Sequence, residues 1–276
     1  MSVQDYLPTV HCSRVALFFI YLTATLLGLL TPISLLAQQS TDTKSIDLPL
    51  LNVDIIINGS LDESAWTQAT LIEDLHQVLP EEYATPTQAT QVRVFFTENA
   101  LYVGATMTES DPARITDRVL RQGQDLSGDD VFAVILDPYL DRRNGYRFEV
   151  NPNGVRWEGL FQNITGVEGN WQGIWEARSE RTENGWTTEI RIPFQSLSFT
   201  PGSSTWGINF NRIRRNDNEN IAWMSRNREI NPSTAGTATG LDGMRQGVGL
   251  DVVPSMTLRR NRTFGVGSFE EDHYEP

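Results

Sequence analysis

The sequence has 276 residues, 35 of them acidic and 22 basic, for a net charge of −13. That balance excludes a nucleic-acid binder, because neutralising phosphates takes a surplus of Lys and Arg. Three scattered His (His11, His76, His273) and the single Cys12 exclude a Cys/His zinc site and a disulfide scaffold, while the length suffices for one well-cored domain with extensions.

In chain order, the first feature is Val15–Ala37, with 17 apolar residues in 23 and no charge, behind Arg14. It ends in Ser34-Leu35-Leu36-Ala37 and runs into the polar Gln38-Gln39-Ser40. This pattern reads as a secretory signal over residues 1–37. An uncleaved anchor is the alternative, since about 20 apolar residues span a bilayer. Cys12 would leave with the signal, and a cysteine-free exported chain fits a bacterial envelope protein in the periplasm, outer membrane or medium. Residues 38–46 are a polar linker.

Strand patterns follow. Val53–Ile57 reads as a first strand ended by Asn58-Gly59, and Leu61–Trp66 as one helical turn with Trp66 as a core plug. Gln91–Thr97 and Ala100–Thr108 form a hairpin around Glu98-Asn99, with Leu101, Val103, Ala105 and Met107 on one face. The unbroken apolar run Val131–Leu136 is expected to be a central strand covered on both faces. Tyr146–Asn151, Trp186–Ile192 and Trp206–Asn211 alternate strictly, and Ile221–Ser225 gives one more strand. Asn144-Gly145, Asn153-Gly154, Asn184-Gly185 and Pro201-Gly202 mark the turns. Some nine or ten short strands with regular turns mean an all-β sandwich or barrel, here assigned to residues 47–243. Residues 244–276 differ. Gly240–Gly249 holds four Gly, Leu250–Arg260 alternates loosely, Arg259-Arg260-Asn261-Arg262 is basic and Glu270-Glu271-Asp272 is acidic. This tail reads as the start of something further.

Few chemistries suit these residues. No nucleophile elbow, phosphate loop or dinucleotide fingerprint occurs, and His76 stands alone in the sandwich. Glu149 and Glu158 fall on neighbouring strands, so a glycosidase carboxylate pair is conceivable; the plainer reading pairs them with Arg147 and Arg156. Asp125, Asp129, Asp130, Asp137 and Asp141 cluster within 17 residues; Ca²⁺ favours such loop carboxylates, but the spacing is not an EF-hand pattern and a solvated acidic loop is the plainer reading. No other cofactor is implied. Aromatic rings beside polar strand faces suit sugars, whose C–H faces meet an indole while polar side chains bond the hydroxyls. Trp157, Trp171, Trp175 and Trp223 are the ring candidates. Arg147, Glu149 and Asn151 share the non-core face of one strand, and Asn209 and Asn211 that of another.

Together, Asn58–Trp66, Asp130–Asp137, Gly145–Gly154, Gly185–Phe194 and Trp206–Phe210 resemble the family 9 carbohydrate-binding modules. The resemblance covers roughly residues 47–241 and implies a jelly-roll or immunoglobulin-like β-sandwich whose partner is an oligo- or polysaccharide, without catalysis, as in xylan or glucan catabolism. It also implies polar sugar contacts from Asn151, Asn209 and Asn211. The sequence departs from the family where two Trp clamp a terminal sugar. Leu126-Ser127-Gly128 and the aromatic-free Asn227–Thr239 occupy those places, and Phe132 replaces an acidic residue, so Trp157 or Trp171 would have to supply the ring. Asp137–Tyr146 and Leu250–Pro254 are similar to a variant that stands at the N-terminus of large bacterial proteins, before an outer-membrane barrel. On that likeness residues 244–276 lead into a barrel, and the alternative role is a structural or partner-docking domain attached to it.

Overall fold

The computed structural model describes residues 43–164 and 166–246, together with two short strands near the C-terminus. The expected signal and almost all of the tail lie outside the described residues. Among the described residues no helix is long and apolar enough to cross a membrane.

The fold is a sandwich of two mainly antiparallel sheets. The larger sheet has nine strands: β1 (Ser45–Asp47), β3 (His76–Leu79), β6 (Val131–Asp137), β7 (Gly145–Val150), β8 (Arg156–Gln162), β9 (Gly166–Glu168), β12 (Trp206–Arg214), β13 (Glu219–Ala222) and β14 (Gly236–Thr239). Its path runs β1-β14-β12-β6-β7-β8-β9, with β13 on the far half of β12 and β3 beyond β13. The smaller sheet contains β2 (Thr70–Ile72), β4 (Thr90–Phe96), β5 (Ala100–Thr108), β10 (Glu176–Thr182) and β11 (Gly185–Pro193), in the order β10-β11-β5-β4-β2. β15 (Arg259–Asn261) and β16 (His273–Glu275) pair only with each other.

Period-two alternation builds the core between the sheets. Phe132, Val134 and Leu136 of β6, Phe148 and Val150 of β7, and Ile208 and Phe210 of β12 meet Leu101, Val103, Ala105 and Met107 of β5. Trp186, Ile190 and Ile192 of β11 complete that layer. The hairpin β4–β5 and the central β6 form as expected, and every residue of β6 is buried.

Two expectations need correction. Val53–Ile57 is not a strand, and the first strand is β1, paired in parallel with β14. Residues 51–57 lie as an irregular strap over the outer face of the smaller sheet, anchored by the backbone bonds Leu51 N–H to Phe96 O and Phe96 N–H to Pro49 O. Second, Trp66, in the short helix α1 (Ala65–Gln68), is indeed buried, but in a separate cluster with Ile55, Phe95 and Tyr102 outside the sandwich core. The strap is stapled by Glu189, which is fully buried and accepts from Asn58 N–H at 2.7 Å, Gly59 N–H at 2.9 Å and the Trp66 indole at 2.9 Å. Gly59 is required there. Its φ is +100°, and a Cβ would stand 2.9 Å from the Ser179 carbonyl carbon.

One end of the sandwich closes with a buried ion network. Arg214 pairs with Glu109 at 2.6 Å and with Glu219 and Asp217 at 2.5 Å. Arg212 donates to the Ala89 and Thr108 carbonyls, and burial, then the Arg214 charge, holds its pKa down to about 10. A cavity of about 370 Å³ beside this network is lined mainly by polar side chains, several of them already paired within it.

Candidate functional site

Side chains pointing away from the core line the outer face of the larger sheet. Register places Arg147 of β7 opposite Gly159 of β8, Glu149 opposite Trp157, and Ile213 of β12 opposite Val131 of β6. Two loops close over this face. The three-residue turn Pro232–Thr234 packs on β6 and β12 at one end. The segment before β6 covers the other end, where Leu126 packs with Val131, Ala133 and Val155, joined by Trp157 and Ile213 at the margin. A groove of about 380 Å³ stays open beside that cluster, lined by Leu126, Val131, Arg147, Glu149, Trp157, Val167, Ile213 and Arg215, with Asp125 and Ser127 at its edge. This volume falls within the roughly 300–1,000 Å³ of small-molecule sites.

Trp157 is half-buried. Its ring rests against the strand pair β8–β9, and Gly159 makes room for it: a Cβ there would meet Trp157 Cη2 at 2.8 Å and Val167 Cγ1 at 2.7 Å. Next to it, Arg147 Nε donates to Glu149 Oε1 at 2.5 Å, and Arg147 Nη2 donates to Asn211 Oδ1 at 3.3 Å. Both charged side chains keep a little exposure, 13% and 15%. Among the described residues, Nη1 of Arg147 and Oε2 of Glu149 have no hydrogen-bond partner. The groove thus offers a free donor and a free acceptor side by side, next to an indole.

The structure brings four of the eight sequence-derived binding candidates together: Trp157, Arg147, Glu149 and, behind Arg147, Asn211. Asn211 is only 2% exposed, and its amide nitrogen donates to Asn220 and to the Ile221 carbonyl, so it orients Arg147 from below. The other four stand elsewhere. Asn209 is fully buried and holds the strand-to-loop junction through Met224, donating to its carbonyl at 2.8 Å and accepting from its N–H at 3.0 Å. Asn151 is also buried. It donates to Val119 O and Asp129, accepts from Asn153 and Val155 N–H, and so fixes the loop that walls the groove. Trp171 packs on Tyr146 and Phe148, which point to the opposite face of β7 from Arg147. Trp223 is 2% exposed in the core, its indole bound to Asp74 at 3.0 Å, and Trp175 is likewise buried. Phe132 also faces the core; at that level the residue on the groove side of β6 is Ala133.

The carboxylate clusters are resolved in the same way. Glu149 faces the groove, whereas Glu158, opposite Phe148, lies on the core side and accepts from the Trp175 indole. The two cannot flank one glycosidic bond. Nor do the aspartates converge. Asp129 and Asp130 precede β6, whereas Asp137 ends it and Asp141 lies in the turn beyond, about 23 Å away at 3.3 Å per residue. Each is occupied by backbone N–H groups: Asp129 by Arg118 and Val119, Asp130 by Arg215, Asp137 by Asp141 and Arg142, and Asp141 by Arg143 and Asn144. Burial pushes the Asp130 and Asp137 carboxyls up despite these bonds. Among the described residues no group of three or more His, Cys, Asp or Glu is arranged to hold a metal.

Sequence reasoning missed the aliphatic wall and Arg215. The alternation of Val131 and Ile213 contained that wall, but a run covered on both faces gives no sign of which end its cover leaves open.

Comparison with known proteins adds three findings. Residues 57–239 match the model of the carbohydrate family 9 binding domain-like family. The fold resembles a family 9 carbohydrate-binding module of Caldicellulosiruptor kristjanssonii solved with cellotriose, at 16% identity and a TM-score of 0.53, covering 76% of this chain and 100% of that one. The same kind of module solved with glucose gives 18% and 0.52, over 71% and 95%, and a Bacteroides uniformis protein gives 15% and 0.56, over 71% and 98%. At these identities the likeness concerns the fold. No curated protein sequence matches at a significant level.

Proposed function

We propose that this chain, which belongs to the carbohydrate family 9 binding domain-like family, is a non-catalytic module that binds carbohydrate in the groove between Trp157 and the Arg147–Glu149 pair. The observation that carries this reading is the free donor on Arg147 beside the free acceptor on Glu149, at the edge of a half-exposed indole. Vicinal sugar hydroxyls each donate and accept, so adjacent hydroxyls can meet that pair while the C–H face of the ring lies on Trp157. The solved neighbours hold cellotriose and glucose, which makes β-linked gluco- and xylo-oligosaccharides the ligands to try first.

Isothermal titration with such oligosaccharides tests the reading. Saturable binding that falls at least about tenfold in Trp157→Ala, with the fold intact by circular dichroism, supports it. Silence across a glycan array removes it.

The apolar run Val15–Ala37 supports export to the cell envelope, and the likeness of Leu250–Pro254 to the barrel-preceding variant supports attachment to an outer-membrane barrel region beyond residue 243. Fractionation of cells expressing the chain tests the location: recovery in the envelope supports it, and recovery in the cytosol contradicts it.

A further inference from the structure

One wall of the groove carries almost no hydrogen-bonding capacity. The part-exposed Ile213 forms it beside Trp157, backed by the buried Leu126 and Val131, and the half-exposed Val167 continues it across Gly159. The ring hydroxyls are served at the Arg147–Glu149 end, not on this wall. A hydroxyl pressed on the aliphatic wall would lose its water and find no partner, a loss that disfavours binding. Arg215 stands at the rim of the same groove. Its backbone N–H binds Asp130; its guanidinium makes no hydrogen bond or close ion pair among the described residues, and its charge acts on Asp125 from a distance. The neighbouring Asp125 is already engaged by Ser127 through both oxygens.

An apolar surface next to a cationic group whose N–H donors are open fits a group that ends in a methyl and carries a carbonyl. We infer that the groove selects sugars bearing an O-acetyl substituent, with the methyl on Ile213, above the buried Leu126 and Val131, and the carbonyl oxygen accepting from Arg215. This inference rests on the reading of the groove as a sugar site and narrows it to one ligand class. The carbonyl distinguishes an acetyl group from the bare methyl of a 6-deoxy sugar.

The test is titration of the full chain with O-acetylated xylo-oligosaccharides, the same oligosaccharides after alkaline deacetylation, and oligosaccharides ending in a 6-deoxyhexose. The acetylated ligand is expected to bind at least about fourfold tighter than the deacetylated one, the weight of one buried methyl. It should also exceed the 6-deoxy ligand. In Arg215→Ala, an exposed position, the acetyl preference is expected to shrink toward that of the methyl alone. Equal affinity for acetylated and deacetylated ligands overturns the inference and leaves the sugar site standing. A 6-deoxy ligand that binds as well as the acetylated one overturns the carbonyl–Arg215 contact. Failure of all three to bind overturns the sugar reading and this inference together.

Discussion

Glu189 shows how one residue can look functional and serve the fold. It sits in a Gly-Trp-Thr-Thr-Glu-Ile segment, is fully buried, and uses both oxygens on Asn58, Gly59 and Trp66. Burial pushes its carboxyl up, against the N–H donors that favour the charged form. Glu189→Leu strands these donors and frees the strap. It is expected to cost about 2–3 kcal/mol in urea unfolding, a few unmet buried bonds' worth, while leaving groove residues untouched. Glu219 behaves oppositely. Burial resists its ionisation, but bonds from Thr87, then Gln77 and Arg214, outweigh that and hold its carboxyl below the ordinary glutamate value. Its stabilising contribution is therefore complete above about pH 4.5 and is lost as pH falls through the lower folded value. Thermal unfolding between pH 3 and 5 checks this: the acid loss should be shallower in Glu219→Gln than in the parent, and equal slopes would contradict it.

At the scale of elements, β5, β7, β11 and β12 lie where two-residue periodicity puts them, and β6 where the unbroken apolar run Val131–Leu136 puts it. Periodicity also set Arg147 and Glu149 on the outer face. What it could not supply was depth. Asn209 and Asn211 share that face with Arg147, yet loops from distant parts of the chain bury Asn209 and leave Arg147 partly open. The strap has the composition of a strand, but after its backbone bonds to Phe96 it leaves the edge of β4 and lies over the sheet face, so residues 52–57 form no ladder. Trp171 and Trp157 are equally aromatic in sequence, and only the register of β7 and β8 separates the core side from the groove side. Gly159 is the element-level support of the groove. Gly159→Val would place its Cβ within 2.8 Å of the Trp157 ring and 2.7 Å of Val167. It is expected to displace the indole and abolish oligosaccharide binding, with the far-ultraviolet circular dichroism of the sandwich retained.

The whole molecule separates stability from recognition. The core between the sheets, the strap and the ion network at one end hold the sandwich, and the outer face of the larger sheet is left to carry a ligand. Arg214→Met strands Glu109 and Glu219 in a buried setting, and breaking such a pair on one side costs about 3–5 kcal/mol. Denaturant unfolding should show that loss while carbohydrate affinity, measured where the variant is folded, stays unchanged. On the proposed function, the half-exposed Trp157, among seven Trp of which five are buried, is the ring that meets the sugar. The most direct test of that claim is the set of assigned indole N–H resonances during titration with cellotriose or a xylo-oligosaccharide. The Trp157 resonance should move saturably while those of Trp66, Trp175, Trp186, Trp206 and Trp223 stay in place; a ligand that binds without moving Trp157, or that moves Trp171 instead, would contradict the claim.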